Sequence, residues 1–269
     1  WDGLTFDAVE KFIKNFDEDN KIVGWVIMDM LIYYSEEQEQ SIFNNLIRLM
    51  ERELWVHYEM PQRGLSSKAI NNELQQVYKQ LCFVPVDESN PSASSFNLTH
   101  FLSKSSCIPS SVQYIDIIDI PLMIALQYKY FVFYDDLVGT GDQFEKFFNK
   151  PRYGKDEKNK KSVNDLAQKN QDVMFYYLVV GACENGYQKL TQLKPNVRVI
   201  VSEYFAKNTS VIDENNEYWE LYPDLKEKVI DYIMKKEKEL GIHNIYGEYV
   251  PVLFQHGRAS NTALELLWY

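Results

Sequence analysis

The sequence predicts an α/β fold: a mainly parallel central sheet with flanking helices, preceded by a helical N-terminal region. Three observations carry that expectation. Apolar runs, interrupted only by Arg198, stand at 82–86, 130–134, 173–180, 197–201 and 250–254. Runs without polar alternation suit strands covered on both faces, as in parallel sheets. Helical stretches separate them, and the first 80 residues show only helical spacing. Residues 1–80 are therefore assigned to a helical front. Residues 81–269 are assigned to the α/β domain, with a basic insertion near 150–170.

Taken in order, Val9, Phe12, Ile13 and Phe16 recur at three- and four-residue steps. Val26, Met30, Ile32 and Tyr33 extend a helix apolar nearly all round, which implies burial. Ser35 reads as the N-cap of a third helix, whose apolar face is Ile42, Leu46, Leu49 and Met50. Met60-Pro61-Gln62-Arg63-Gly64 interrupts the pattern, and 67–81 resumes it. Val112 to Ile120 reads as a strand or hairpin arm. Asp224 to Leu240 is a long charged helix ended by Gly241. Trp25, Trp55 and Trp219 read as core anchors, and His57 and His100 as structural histidines.

Charge narrows the function. The 269 residues hold 28 Lys and Arg against 39 Asp and Glu, a net charge of −11. Such a body repels phosphate backbones, so broad nucleic-acid binding is disfavoured except through the lysines of 150–161. That stretch reads first as a solvated insertion and second as a basic arm over an anion. Cys82, Cys107 and Cys183 are scattered, with no metal-ligand spacing. No signal peptide or membrane-length apolar run is visible, so a cytoplasmic, membrane-free protein is expected.

The chemistry concentrates in residues 130–143. An apolar strand runs into Asp135 and Asp136, then into the turn Gly139-Thr140-Gly141-Asp142-Gln143, and a helix begins. Strand residues carry the carboxylates toward the carboxyl edge of the sheet, where open α/β folds bind ligands. Gly139 and Gly141 admit a close ligand, and a helix N-terminus with turn N–H groups suits a phosphate. The carboxylates suit sugar hydroxyls or an associated Mg2+. The competing reading is an ordinary β-to-α turn with acids near the helix dipole.

This segment resembles the ribose-5-phosphate signature of type I phosphoribosyltransferases. By that resemblance Asp135 and Asp136 take the ribose hydroxyls as the catalytic pair, with Mg2+ associated through the ligand. Gly139, Thr140, Gly141, Asp142 and Gln143 then take the 5-phosphate. The family usually has Thr where this chain has Gly139 and a second hydroxyl where it has Gln143, and Asp142 adds negative charge. An earlier strand in the family leads to a pyrophosphate loop; Asp87, Ser89, Ser94 and Ser95 stand in that order here, though a surface loop fits the same residues. Glu184 and Tyr187 follow the 173–180 strand and face either an acceptor or simply open a helix.

The last strand leads to His256, Arg258, Asn261, Thr262 and Trp268. Together with the Tyr-Tyr-Ser-Glu-Glu segment at 33–37, this ending resembles the phosphoribosyltransferase-like PRTase-CE group of bacterial conflict systems. His256, Arg258 and Asn261 are acceptor-side candidates; a surface turn is the alternative. The resemblance implies an effector of anti-phage defence that binds phosphoribosyl pyrophosphate or a nucleotide. It also implies a protein partner in a defence complex, such as a winged-helix protein or a retron reverse transcriptase. A catalytically silent sensing or docking module is the second expectation.

Overall fold

A computed structural model describes residues 4–57, 64, 66–86, 94–105, 107–154, 160–193, 197–240 and 249–254. Its centre is a five-stranded, wholly parallel sheet in the order β3-β2-β4-β5-β6. The strands are β2 (Leu81–Pro85), β3 (Gln113–Tyr114), β4 (Tyr130–Val138), β5 (Met174–Cys183) and β6 (Val197–Phe205). Every residue of β4 and β5 is buried, which is why their sequences show no polar alternation.

Alternation sorts side chains to two faces. On one face Tyr130, Val132, Tyr176 and Leu178 pack against Phe43, Leu46, Ile47 and Met50 of α3 (Glu36–His57). On the other, Phe131, Phe133, Phe175 and Tyr177 meet Phe144, Phe147 and Phe148 of α7 (Asp142–Asn149). Phe144 stacks on Tyr177 with ring centroids 3.9 Å apart. Within the helical front, α3 lies directly on β5 and β6.

The front begins with α1 (Phe6–Ile13), capped by Thr5, and α2 (Lys21–Asp29). Val23, Val26 and Ile27 of α2 share a core with Trp219 and with Val229 and Ile233 of α10 (Lys226–Leu240). Ile32 and Tyr33 leave the expected helix and form β1 (Ile32–Tyr34). This strand pairs in parallel with β7 (Val252–Phe254), in a two-stranded sheet apart from the main one. Local periodicity is overridden by a partner distant in sequence, and Tyr34 stacks on Phe254 at 5.3 Å.

Other departures are local. The 67–81 helix ends early, as α4 (Ser67–Tyr78), because Leu81 is taken into β2. Only Gln113 and Tyr114 of the 112–120 stretch pair as a strand; Asp116 then caps a 3-10 turn through the Ile118 N–H at 3.0 Å. Trp25 is 47% exposed, not a core anchor, because Val23, Val26 and Ile27 take the inward side of α2. Within the basic stretch, Tyr153 and Lys161 form an antiparallel bridge, and Ser162 opens α8 (Val163–Lys169) with a capping box. Two shorter helices, α5 (Ser94–Lys104) and α6 (Ile120–Ala125), flank β2 and β4.

Candidate functional site

Asp135 and Asp136 lie within β4, three and two residues before its end, and are only 6% and 3% exposed. Asp135 shares the face of Phe131 and Phe133. Its Oδ2 accepts the Tyr177 hydroxyl at 3.2 Å, and its Oδ1 accepts the Asp136 N–H at 3.0 Å. Burial, then the charge of Asp136, raises its proton affinity well above the usual carboxylate range. Asp136 turns to the opposite face and accepts the Leu137 N–H at 2.7 Å. The two neighbouring carboxyls are thus steered to different sides of the sheet.

On the side of Asp136 stands a group the sequence reading passed over. Glu39, in the first turns of α3, is 3% exposed, and its carboxyl is raised to about 8. Burial is the larger cause and the charge of Asp136 the next. The helix start is held by Ser35, whose N–H donates to Gln38 Oε1 at 2.8 Å. The missed signal is spacing: Glu39, Phe43, Leu46 and Met50 fall on one helical face, and the last three are core.

After β4, Gly139-Thr140-Gly141 turns the chain into α7. Gly141 has φ +75°, a conformation side chains other than glycine rarely adopt. The Thr140 hydroxyl accepts the Asp142 N–H at 3.3 Å. Asp142 pairs with Lys189 of α9 (Glu184–Thr191), and Lys189 also reaches Glu145 at 2.6 Å. The acid beside the proposed phosphate turn is therefore charge-compensated from a neighbouring helix. Gly186 packs so closely on the turn that a β-carbon there would overlap the carbonyl oxygen of Gly139. Gln143 is exposed in the first turn of α7.

The remaining candidates distribute as follows. Residues 181–183 extend β5 instead of forming a loop, and α9 follows at once. Glu184 accepts the Lys207 N–H at 2.9 Å, and Tyr187 packs edge-on against Tyr204. Both therefore stand at the β5–β6 side of the carboxyl edge. Ser94 and Ser95 open α5, but their side chains, and all of Asp87 and Ser89, lie outside the described residues, as do His256, Arg258, Asn261, Thr262 and Trp268. So do the side chains of Trp55 and His57.

Among the described residues, no group of three or more His, Cys, Asp or Glu side chains is arranged to hold a metal ion. Among the same residues, no helix is long and apolar enough to cross a membrane.

Residues 9–269 match the family model PRTase-CE. A Helicobacter pylori xanthine-guanine-hypoxanthine phosphoribosyltransferase structure aligns with 13% identity over 64% of this chain and 90% of that one, at a TM-score of 0.31. Comparison with curated proteins gave no match.

Proposed function

Since the chain belongs to the PRTase-CE family, we propose that it binds a phosphorylated ribose, as phosphoribosyl pyrophosphate or a nucleotide, at the carboxyl edge of the five-stranded sheet. We place this phosphoribosyltransferase-like activity in an anti-phage effector working with a protein partner. One observation supports the reading above others: a buried strand delivers two acids and then a glycine turn that opens a helix. In this reading the turn at 139–143 and the first N–H groups of α7 hold the 5-phosphate. Asp135 and Asp136, reaching the carboxyl edge from opposite faces of β4, meet different hydroxyls of the ribose. Lys189 keeps Asp142 from repelling the anion.

The reaction we assign is substitution at the anomeric carbon. The bond to pyrophosphate or base breaks with its electron pair leaving on that group, the ribose becomes oxocarbenium-like, and an acceptor or water attacks. The chain's part is positioning and charge placement. Mg2+ would reach the site on the ligand's phosphates and would offset their charge there. The test is calorimetric titration of phosphoribosyl pyrophosphate with Mg2+ into wild type and the Asp135→Asn/Asp136→Asn double variant. Binding by wild type and its loss in a folded double variant is expected; no heat from any phosphoribosyl compound or nucleotide would sink the proposal.

A second reading is a catalytically silent sensor of the same ligand. Two observations favour it: Tyr177 donates to Asp135, and both acids are almost fully covered. Metabolite profiling of cells expressing wild type and the double variant separates the two. Turnover predicts depleted nucleotide or phosphoribosyl pools with wild type alone.

A further inference from the structure

A cavity of about 280 Å3 lies away from the acidic pair, between β1, the approach to β7 and the segment after β6. Its apolar floor is Met30, Ile32 and Pro251. Its mouth carries Asn208, Glu217 and Tyr218, all exposed. The floor is fixed by a backbone bond from the Ile32 N–H to the Pro251 carbonyl at 2.8 Å. The wall is fixed by Asn216, which is buried. Its side chain donates to the carbonyls of Thr209 and Ser210 at 3.2 and 3.0 Å and accepts the Tyr218 N–H at 3.0 Å. Trp219 anchors the same segment from the core and donates to the Asp213 carbonyl at 3.1 Å. A cavity held open by its own hydrogen bonds loses little entropy when filled.

The lining selects a chemistry. An apolar floor with an aromatic side chain at the rim suits a flat ring. The Glu217 side chain offers acceptors only, so it favours a ring bearing an amino group and disfavours one edged by carbonyl oxygens, as in uridine. Among the described residues no cation pairs with Glu217, so its charge at the mouth disfavours phosphate, as does the net charge of −11. The volume holds a base or nucleoside. We propose that this cavity is a second small-molecule site, taking an unphosphorylated, amino-bearing heterocycle such as a purine base or its nucleoside.

The test titrates adenosine, uridine and AMP into wild type, Glu217→Ala, Asn208→Trp and the Asp135→Asn/Asp136→Asn variant. Both cavity positions are at the surface, so those variants should fold. Adenosine should bind wild type at least about tenfold more tightly than uridine or AMP. Glu217→Ala and Asn208→Trp should each weaken it by about tenfold or more, while the double variant should bind as wild type does. Hydrogen exchange with adenosine should protect 207–218 and 30–33. No adenosine binding at millimolar concentration overturns the proposal. So does equal binding of uridine, or protection confined to 134–143. Phosphoribosyl pyrophosphate titrations read the acidic-pair site separately, so either proposal can fail while the other stands.

Discussion

Glu39 and Asp136 come from distant parts of the chain, yet each is almost wholly covered, and Glu39 feels the charge of Asp136. The free-energy consequence has a definite sign. The Glu39 carboxyl rises from an ordinary 4.5 to about 8, so the folded chain binds its proton more tightly than the unfolded chain. The stability this contributes is complete below about pH 4.5 and is lost as pH rises toward 8. Glu39→Gln cannot lose that proton. It should therefore gain stability relative to wild type across this window, by at most about 1.4 kcal/mol per pH unit. Urea melts of both proteins from pH 5 to 8 check this; parallel curves would refute it. Asp135 and Asp136 were legible because an acid pair ending an apolar run is conspicuous. Glu39 was not, since acids in a first turn ordinarily face water and favour the helix dipole. Only the apolar face it shares with Phe43 and Leu46 marks it as buried.

At the scale of elements, α7 and α9 are joined around the turn between β4 and α7. Gly186 lets α9 approach the Gly139 carbonyl, and Lys189 reaches across to Asp142 and Glu145. These two contacts predict different failures. Gly186→Ala should force α9 off the turn and cost about 1–3 kcal/mol in thermal or urea unfolding. Lys189→Met removes a part-exposed cation, so its stability cost should stay within about 1 kcal/mol. It uncovers two carboxylates beside the proposed phosphate seat, and phosphoribosyl affinity should fall by about tenfold. A Lys189→Met variant that binds normally would place the phosphate elsewhere. The β4–turn–α7 succession was readable in sequence because each part is local. The α9 bracket was not, because Asp142 and Lys189 meet only after β5 has been laid beside β4.

For the whole molecule, β2, β4, β5 and β6 were recoverable from their apolar runs; the two-residue β3 was not, and the 250–254 run, expected in the main sheet, pairs with β1 instead. Ile32 and Tyr33 sit inside a helical spacing, and only the distant 252–254 segment converts them to a strand. That closure reaches further than three residues. The Tyr249 carbonyl accepts the Val211 N–H at 3.0 Å, and its hydroxyl donates to Glu237 at 2.6 Å. A chain truncated before Tyr249 should keep the five-stranded sheet but lose amide protection at Ile32–Tyr34 and at 209–212, read by hydrogen exchange. Full protection at Ile32–Tyr34 in the truncated chain would show that β1 stands without β7.

The same pairing sets a schedule for biosynthesis. The partners Ile32 and Val252 are about 220 residues apart. At roughly 5–20 residues per second, the ribosome makes β1 about 10–45 s before its partner. Throughout that interval an Ile-Tyr-Tyr strand has no ladder to join. The region translated first is thus the last to close, and its apolar residues must wait, shielded by α2, α3 or a chaperone, until the final strand emerges.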